Sequence, residues 1–134
     1  DSLHMLMTCE PQIKEIGDLI SRTDVLLFGI GTAMRMADQR HIADDVRKQL
    51  VDNHAVGEAL GQYCDIDGKL IYSTNNIGLS LPDVAKIPNV IAVAGGQDKS
   101  SAIIGVMRAC QKGILIIDEQ AAEGMRQLLQ ISAL

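Results

Sequence analysis

The 134-residue sequence has no tryptophan, a single phenylalanine (Phe28) and two tyrosines (Tyr63 and Tyr72). Aliphatic side chains and methionine must therefore fill its core, as they do in sheets covered by helices. Aromatics alternating with basic residues, the platform on which single-stranded nucleic acid stacks, are absent. Basic charge is also scarce: 12 Lys and Arg stand against 17 Asp and Glu, for a formal net charge of −5. That balance argues against phosphate-backbone binding by this segment. Cysteine is limited to Cys9, Cys64 and Cys110, far apart and without a CxxC pair. That spacing argues against a disulfide framework or a structural zinc site, and reduced thiols in a cytoplasmic protein are expected. No apolar run approaches the roughly 20 residues needed to span a bilayer. The short run from Leu3 to Met7 lacks the basic flank of a signal peptide, so no membrane partner is expected.

What the chain does have is alternation of short apolar runs with helical patterns. Pro11, followed by Ile13, Ile16, Leu19 and Ile20, predicts a helix over 11–22, capped near Thr8. A strand follows at 24–30, then helical pattern over 33–50 with a break near Arg40 and His41. The stretch 56–63 is ambiguous between helix and strand. Asp67-Gly68 is a hairpin signal between 62–66 and 69–73. Pro82 starts a short helix. Strand 90–94, helix 98–110, strand 114–117 and helix 119–129 complete a βαβα unit. Residues 1–9 carry no clear period. The expected class is α/β, a Rossmann-like parallel sheet with right-handed crossovers, helices on both faces and a β-hairpin.

Two apolar runs end in glycine turns: Val25-Leu26-Leu27-Phe28-Gly29-Ile30-Gly31-Thr32 and Ile91-Ala92-Val93-Ala94-Gly95-Gly96-Gln97-Asp98-Lys99. Each reads as a buried parallel strand that stops at glycine and enters a helix. Such turns let backbone N–H groups approach an anion, helped by the partial positive charge of a helix start. Both turns, and Asp118 after the last strand, fall at the carboxyl ends of strands, where ligands of α/β sheets collect. Lys99 sits where the helix dipole disfavours a cation, a penalty that an anionic ligand would offset. A phosphorylated small molecule is the reading these features support. Gly29-Ile30-Gly31 fails as a dinucleotide fingerprint, because Met34 takes the place of the third glycine, and it lacks a Walker lysine and serine.

Other candidates carry less. Glu58 lies beside glycine in an apolar patch and suits sugar hydroxyls, although an exposed carboxylate is the commoner reading. His54 could serve as an acid or base only with Glu58 as its partner, and a surface histidine is the simpler reading. Asp65-Ile66-Asp67-Gly68 opens like a calcium loop, but the later ligand positions hold Lys69 and Ile71, leaving a hairpin turn. Asp118 reads as a helix cap. No catalytic set, metal site or cofactor is expected.

Read in order, Leu27-Phe28-Gly29-Ile30-Gly31-Thr32-Ala33, Asp52-Asn53-His54-Ala55-Val56-Gly57-Glu58, Tyr63-Cys64-Asp65-Ile66-Asp67-Gly68, Ile87-Pro88-Asn89-Val90-Ile91-Ala92-Val93-Ala94-Gly95-Gly96 and Ile116-Ile117-Asp118-Glu119-Gln120-Ala121-Ala122 resemble the C-terminal part of the sugar-binding domain of SorC-type bacterial transcriptional regulators. The resemblance implies a fold similar to sugar-phosphate isomerases and deaminases, with residues 1–134 forming the C-terminal portion of an effector domain. It implies a phosphorylated sugar as effector, fructose 1,6-bisphosphate or a relative, sensed by a homo-oligomer. DNA would be bound only through a helix-turn-helix outside this sequence. Carried over by motif, Gly29, Ile30 and Gly31 lie against the effector through backbone groups. Glu58 binds sugar hydroxyls, Lys99 holds a phosphate, and Gly95 and Gly96 contribute their turn. The family's other phosphate turn, Gly-Gly-Thr-Thr-like, has no counterpart here. Half a domain would expose apolar sheet edges, so self-association is expected. The competing class is a sugar-phosphate isomerase or deaminase on the same fold.

Overall fold

The computed structural model describes residues 9–130; the expected cap at Thr8 and the unperiodic opening lie outside the described residues, apart from Cys9. Helix α1 (Pro11–Ser21) carries its proline in the first turn, where a missing N–H costs nothing. Strand β1 (Val25–Gly29) follows, then the two-residue β2 (Gly31–Thr32) and helix α2 (Ala33–Gln39). The break expected near Arg40 is real: His41 takes a left-handed φ of 50°, and α3 (Asp44–Asp52) begins beyond it. The ambiguous stretch resolves into β3 (Gly57–Ala59) and β4 (Gln62–Cys64), which pair antiparallel. Leu60 (φ 55°) and Gly61 (φ 77°) form the turn between them, a hairpin conformation that needs positive φ at both positions.

The Asp67-Gly68 hairpin leads into β5 (Leu70–Ser73), with a register shift at Tyr63/Cys64. The Asp65 carboxylate accepts the N–H groups of Asp67 (3.0 Å) and Lys69 (2.9 Å), which makes this a side-chain-stabilised turn. A 3₁₀ turn at Pro82–Lys86 precedes β6 (Asn89–Ala94). A second 3₁₀ turn, Gln97–Lys99, runs into α4 (Ser100–Cys110); β7 (Ile114–Ile117) and α5 (Glu119–Leu128) finish the described chain.

Two sheets result. The first is parallel, in the order β1-β6-β7, and the second is antiparallel, in the order β2-β3-β4-β5. Helix α4 is the hub: Ala102, Ile103, Val106 and Cys110 pack with Phe28, Val90, Ala92 and Ala94 of the parallel sheet and with Ala59 and Cys64 of the antiparallel one. A smaller cluster joins Tyr63 to Ala33, Ala37 and Leu50 of α2 and α3. The α/β class, the parallel sheet and the hairpin are those expected.

The strands of the parallel sheet are not buried throughout, as their unbroken apolar sequence suggested. Phe28, Val90, Ala92 and Ala94 are buried, while Val25, Leu27, Val93, Ile114 and Ile116 are exposed. Successive side chains of a strand point to opposite faces, so the exposed set marks one whole face. Among the described residues no helix shields these five side chains, and the cover expected on the second face is missing there.

Candidate functional site

The carboxyl end of β1 does not turn directly into a helix. Ile30 donates its N–H to the Val93 carbonyl (3.3 Å), which locks the end of β1 to β6. Gly31 and Thr32 then pair with Glu58 and Gly57 of β3. The register of the antiparallel sheet sets Gly31, Glu58, Tyr63 and Tyr72 directly opposite one another across four strands. Residues in such a row share a face, so Gly31, Glu58 and the two tyrosines point the same way. Gly31 is glycine for packing: a Cβ there would stand 2.4 Å from Cγ of Met36.

Glu58 is only 2 % exposed, which corrects the reading of it as a surface carboxylate. A buried charge must be paired and hydrogen-bonded, and this one is. Its Oε1 accepts the Gly61 N–H at 2.7 Å and Nη2 of Arg40 at 3.0 Å. Arg40, 40 % exposed at the end of α2, thus bridges solvent and the buried carboxylate. Oε2 has no hydrogen-bond partner among the described residues and faces Gly31. Beside this pair the hydroxyl of Tyr63 is buried without a partner among the described residues. Burial, and then the Glu58 charge, hold its pKa above the usual tyrosine value.

The second turn arrives from β6. Gln97–Lys99 lies against Gly31–Thr32, so the two glycine turns do meet at one edge. Lys99 is half-buried and makes no ion pair or side-chain hydrogen bond among the described residues. The 3₁₀ turn that carries it has no side-chain cap at its start, and neither has α4. Gly96 is already spoken for: its N–H donates to Oδ2 of Asp118 (2.9 Å), while Oδ1 of Asp118 accepts Ala121 N–H (2.8 Å) as the expected cap of α5. Gly95 permits that approach, since a Cβ on it would stand 2.7 Å from Oδ2 of Asp118. The amides of Ile30 and Gly96 are therefore satisfied within the chain. Among the described residues, Lys99 and the uncapped start of its turn are anion-accepting groups at this edge, and Arg40 beside Glu58 is another.

His54 is exposed at the end of α3 and makes no hydrogen bond to Glu58, so the acid–base pair that an enzyme would need is not assembled among the described residues. No cluster of three or more potential metal ligands occurs among the described residues. A cavity of about 310 Å³ lies apart from this edge, between Gly17 and Ile20 of α1 and Leu79 and Ile87. Its charged groups, Asp83 and Lys86, neutralise each other at 2.7 Å.

Sequence reasoning missed Arg40. It lies eighteen positions before Glu58 and on another element. The available signal was Glu58 itself, because a carboxylate inside an apolar strand requires a cation from elsewhere.

The strand ends at this edge gather glycines, the half-buried amine of Lys99 and a buried carboxylate with one oxygen unpaired among the described residues. The chain belongs to the Sugar-bind family of sugar-binding domains, which it matches over residues 1–127. It is 38% identical over 114 residues to the central glycolytic genes regulator of Bacillus subtilis, covering 85% of this chain and 34% of that protein. Among solved structures, a SorC family transcriptional regulator from Enterococcus faecalis superposes with a TM-score of 0.83 at 37% identity, covering 91% of this chain and 50% of that one. A transcriptional regulator from Streptococcus pneumoniae superposes with a TM-score of 0.79 at 26% identity, covering 92% and 51%. The chain thus spans about a third of the curated relative and half of each solved chain.

Proposed function

We propose that this chain is the C-terminal portion of the effector domain of a bacterial transcriptional regulator, and that the edge joining its two glycine turns receives a phosphorylated sugar. The observation that carries the reading is the placement of Lys99, unpaired and half-buried, on a turn that lies against Gly31–Thr32, with Glu58 in the adjacent strand. The ammonium of Lys99 takes a phosphate, where the uncapped helix start adds to the attraction. Oε2 of Glu58 accepts a sugar hydroxyl while Oε1 stays bound to Arg40 and Gly61. Backbone of Gly29, Ile30 and Gly31 forms one wall, and the Gly95-Gly96 turn another. Arg40, with guanidinium nitrogens to spare, supplies a second cation for a bisphosphate. Fructose 1,6-bisphosphate is the effector to try first, given relatives that regulate central glycolytic genes.

In the intact regulator, a cytoplasmic homo-oligomer, DNA is held by a helix-turn-helix outside this sequence. The effector acts by binding one conformation more tightly than another, and that difference is the most it can contribute to DNA release. A sensor needs no acid–base pair, which accords with His54 standing exposed away from Glu58 and with relatives that are regulators rather than enzymes. Among the described residues no helix is long and apolar enough to cross a membrane.

Thermal melting of this chain with inorganic phosphate, fructose 6-phosphate and fructose 1,6-bisphosphate tests the proposal. The melting temperature should rise most with the bisphosphate, and Lys99→Ala should abolish the rise while leaving the ligand-free melt within about 0.5 kcal/mol of wild type. An unchanged rise in the variant sinks the assignment, and turnover of glucosamine 6-phosphate would favour an enzyme.

A further inference from the structure

Tyr63 is fully buried, and its hydroxyl has no hydrogen-bond partner among the described residues. Buried polar groups are normally paired, so a donor left unmade in the ligand-free chain calls for an explanation. Its neighbour is the complement. Oε2 of Glu58 is a buried acceptor without a partner among the described residues, while Oε1 takes Arg40 and Gly61. The two residues stand directly opposite each other on β3 and β4, with Cβ atoms about 4.5–5.5 Å apart in such a pair. Burial raises the Tyr63 pKa, Glu58 raises it further and Arg40 lowers it, which sets phenol, carboxylate and guanidinium in one neighbourhood and keeps the phenol a donor. Helix α2 covers this row. Met36 lies over Gly31, Ala33 and Ala37 pack with Tyr63, and Arg40, one turn beyond Met36, holds Glu58.

Resting on the sugar-phosphate reading above, we propose that Tyr63 is a further recognition residue of the candidate site: its O–H donates to the same sugar hydroxyl that donates to Oε2 of Glu58. A hydroxyl has one hydrogen to give and lone pairs to receive another, so a single sugar O–H completes both buried groups at once. A phosphate dianion fits neither role. It has no hydrogen for the carboxylate and is repelled by the carboxylate charge. The pair therefore fixes the sugar end of the effector at β3 and β4 and leaves the phosphate to Lys99. A site built around a ligand hydroxyl rejects an analogue that lacks it, because the buried partners then stay unpaired. Since both oxygens lie under α2, the ligand reaches them as that helix shifts. Helix α2 is seven residues long and is followed by the left-handed His41, where its direction can change.

Calorimetric titration of the chain and of its Tyr63→Phe variant tests the assignment. The ligands are fructose 1,6-bisphosphate and hexane-1,6-diol bisphosphate, which carries its two phosphates on a chain without hydroxyls. Wild type should prefer the sugar, and in Tyr63→Phe that preference should shrink at least about fivefold, because only the sugar loses a hydrogen bond. The ligand-free melting temperature of the variant should equal or exceed that of wild type, since the lost hydroxyl had no partner among the described residues. No preference for the sugar in wild type, an unchanged preference in the variant, or a lower ligand-free melting temperature would overturn the Tyr63 assignment and leave the sugar-phosphate reading standing. A wild-type chain that binds neither compound would overturn both.

Discussion

Arg40→Ala isolates the electrostatics at the centre of the candidate site. The substitution removes the cation from a carboxylate that is 2 % exposed and leaves Gly61 N–H as its one remaining donor. Removing one partner of a fully buried ion pair costs about 3–5 kcal/mol. The Arg40 side chain is 40 % exposed, so water screens part of the attraction and about 2 kcal/mol is the expected loss at neutral pH. For a chain of this size that is a fall in melting temperature of about 6–12 °C. Adding Glu58→Gln should recover part of the loss at pH 7, because the amide buries no charge. The assay is urea unfolding of the wild type, both single variants and the double variant at pH 7. Equal stability of wild type and Arg40→Ala would show that the ion pair contributes nothing.

Gly31→Ala should lose about 1–3 kcal/mol, because the new methyl meets Met36, and Met36→Ala should restore most of it in a double-mutant cycle of melting temperatures. Tyr63→Phe should leave stability unchanged or raise it by about 1 kcal/mol in urea unfolding, since it removes a buried hydroxyl that has no partner among the described residues. Thiol labelling of the folded chain should modify Cys9 quickly and spare buried Cys64 and Cys110, with all three reacting once the chain is unfolded. Burial pushes those two thiols up to about 12 and about 11, from 9.0 in the unfolded chain. Their contribution is complete below pH 9 and is lost as pH rises from there, by up to about 1.4 kcal/mol per pH unit for each thiol. Unfolding measured between pH 8 and pH 11 checks that slope.

Much of the architecture was legible because local signals and tertiary structure agree. Pro11 at a helix start, Asp67-Gly68 in a hairpin, the left-handed break after Arg40 and Asp118 as a cap each occur where the residues called for them. The stretch through Val56 to Tyr63 was not legible. Leu60 adopts a left-handed φ that its side chain does not advertise, and the alternation there is only three residues long on each strand. The uniformly apolar strands read as buried on both sides, and the exposed face is visible only once the register is known. At the candidate site, the glycines and Lys99 were visible as candidates in the sequence. Their partners did not, since Arg40 on Glu58 and Asp118 on Gly96 are contacts between distant elements.

A phosphorylated sugar bound where the two glycine turns meet would touch the amides of both turns at once. Titration of the isotopically labelled chain with fructose 1,6-bisphosphate, followed by amide NMR, tests it residue by residue. Saturable shifts clustered at Gly29, Gly31, Glu58 and the Gln97–Lys99 turn are expected, absent with unphosphorylated fructose. Shifts confined to other surfaces, or none at millimolar ligand, would contradict it.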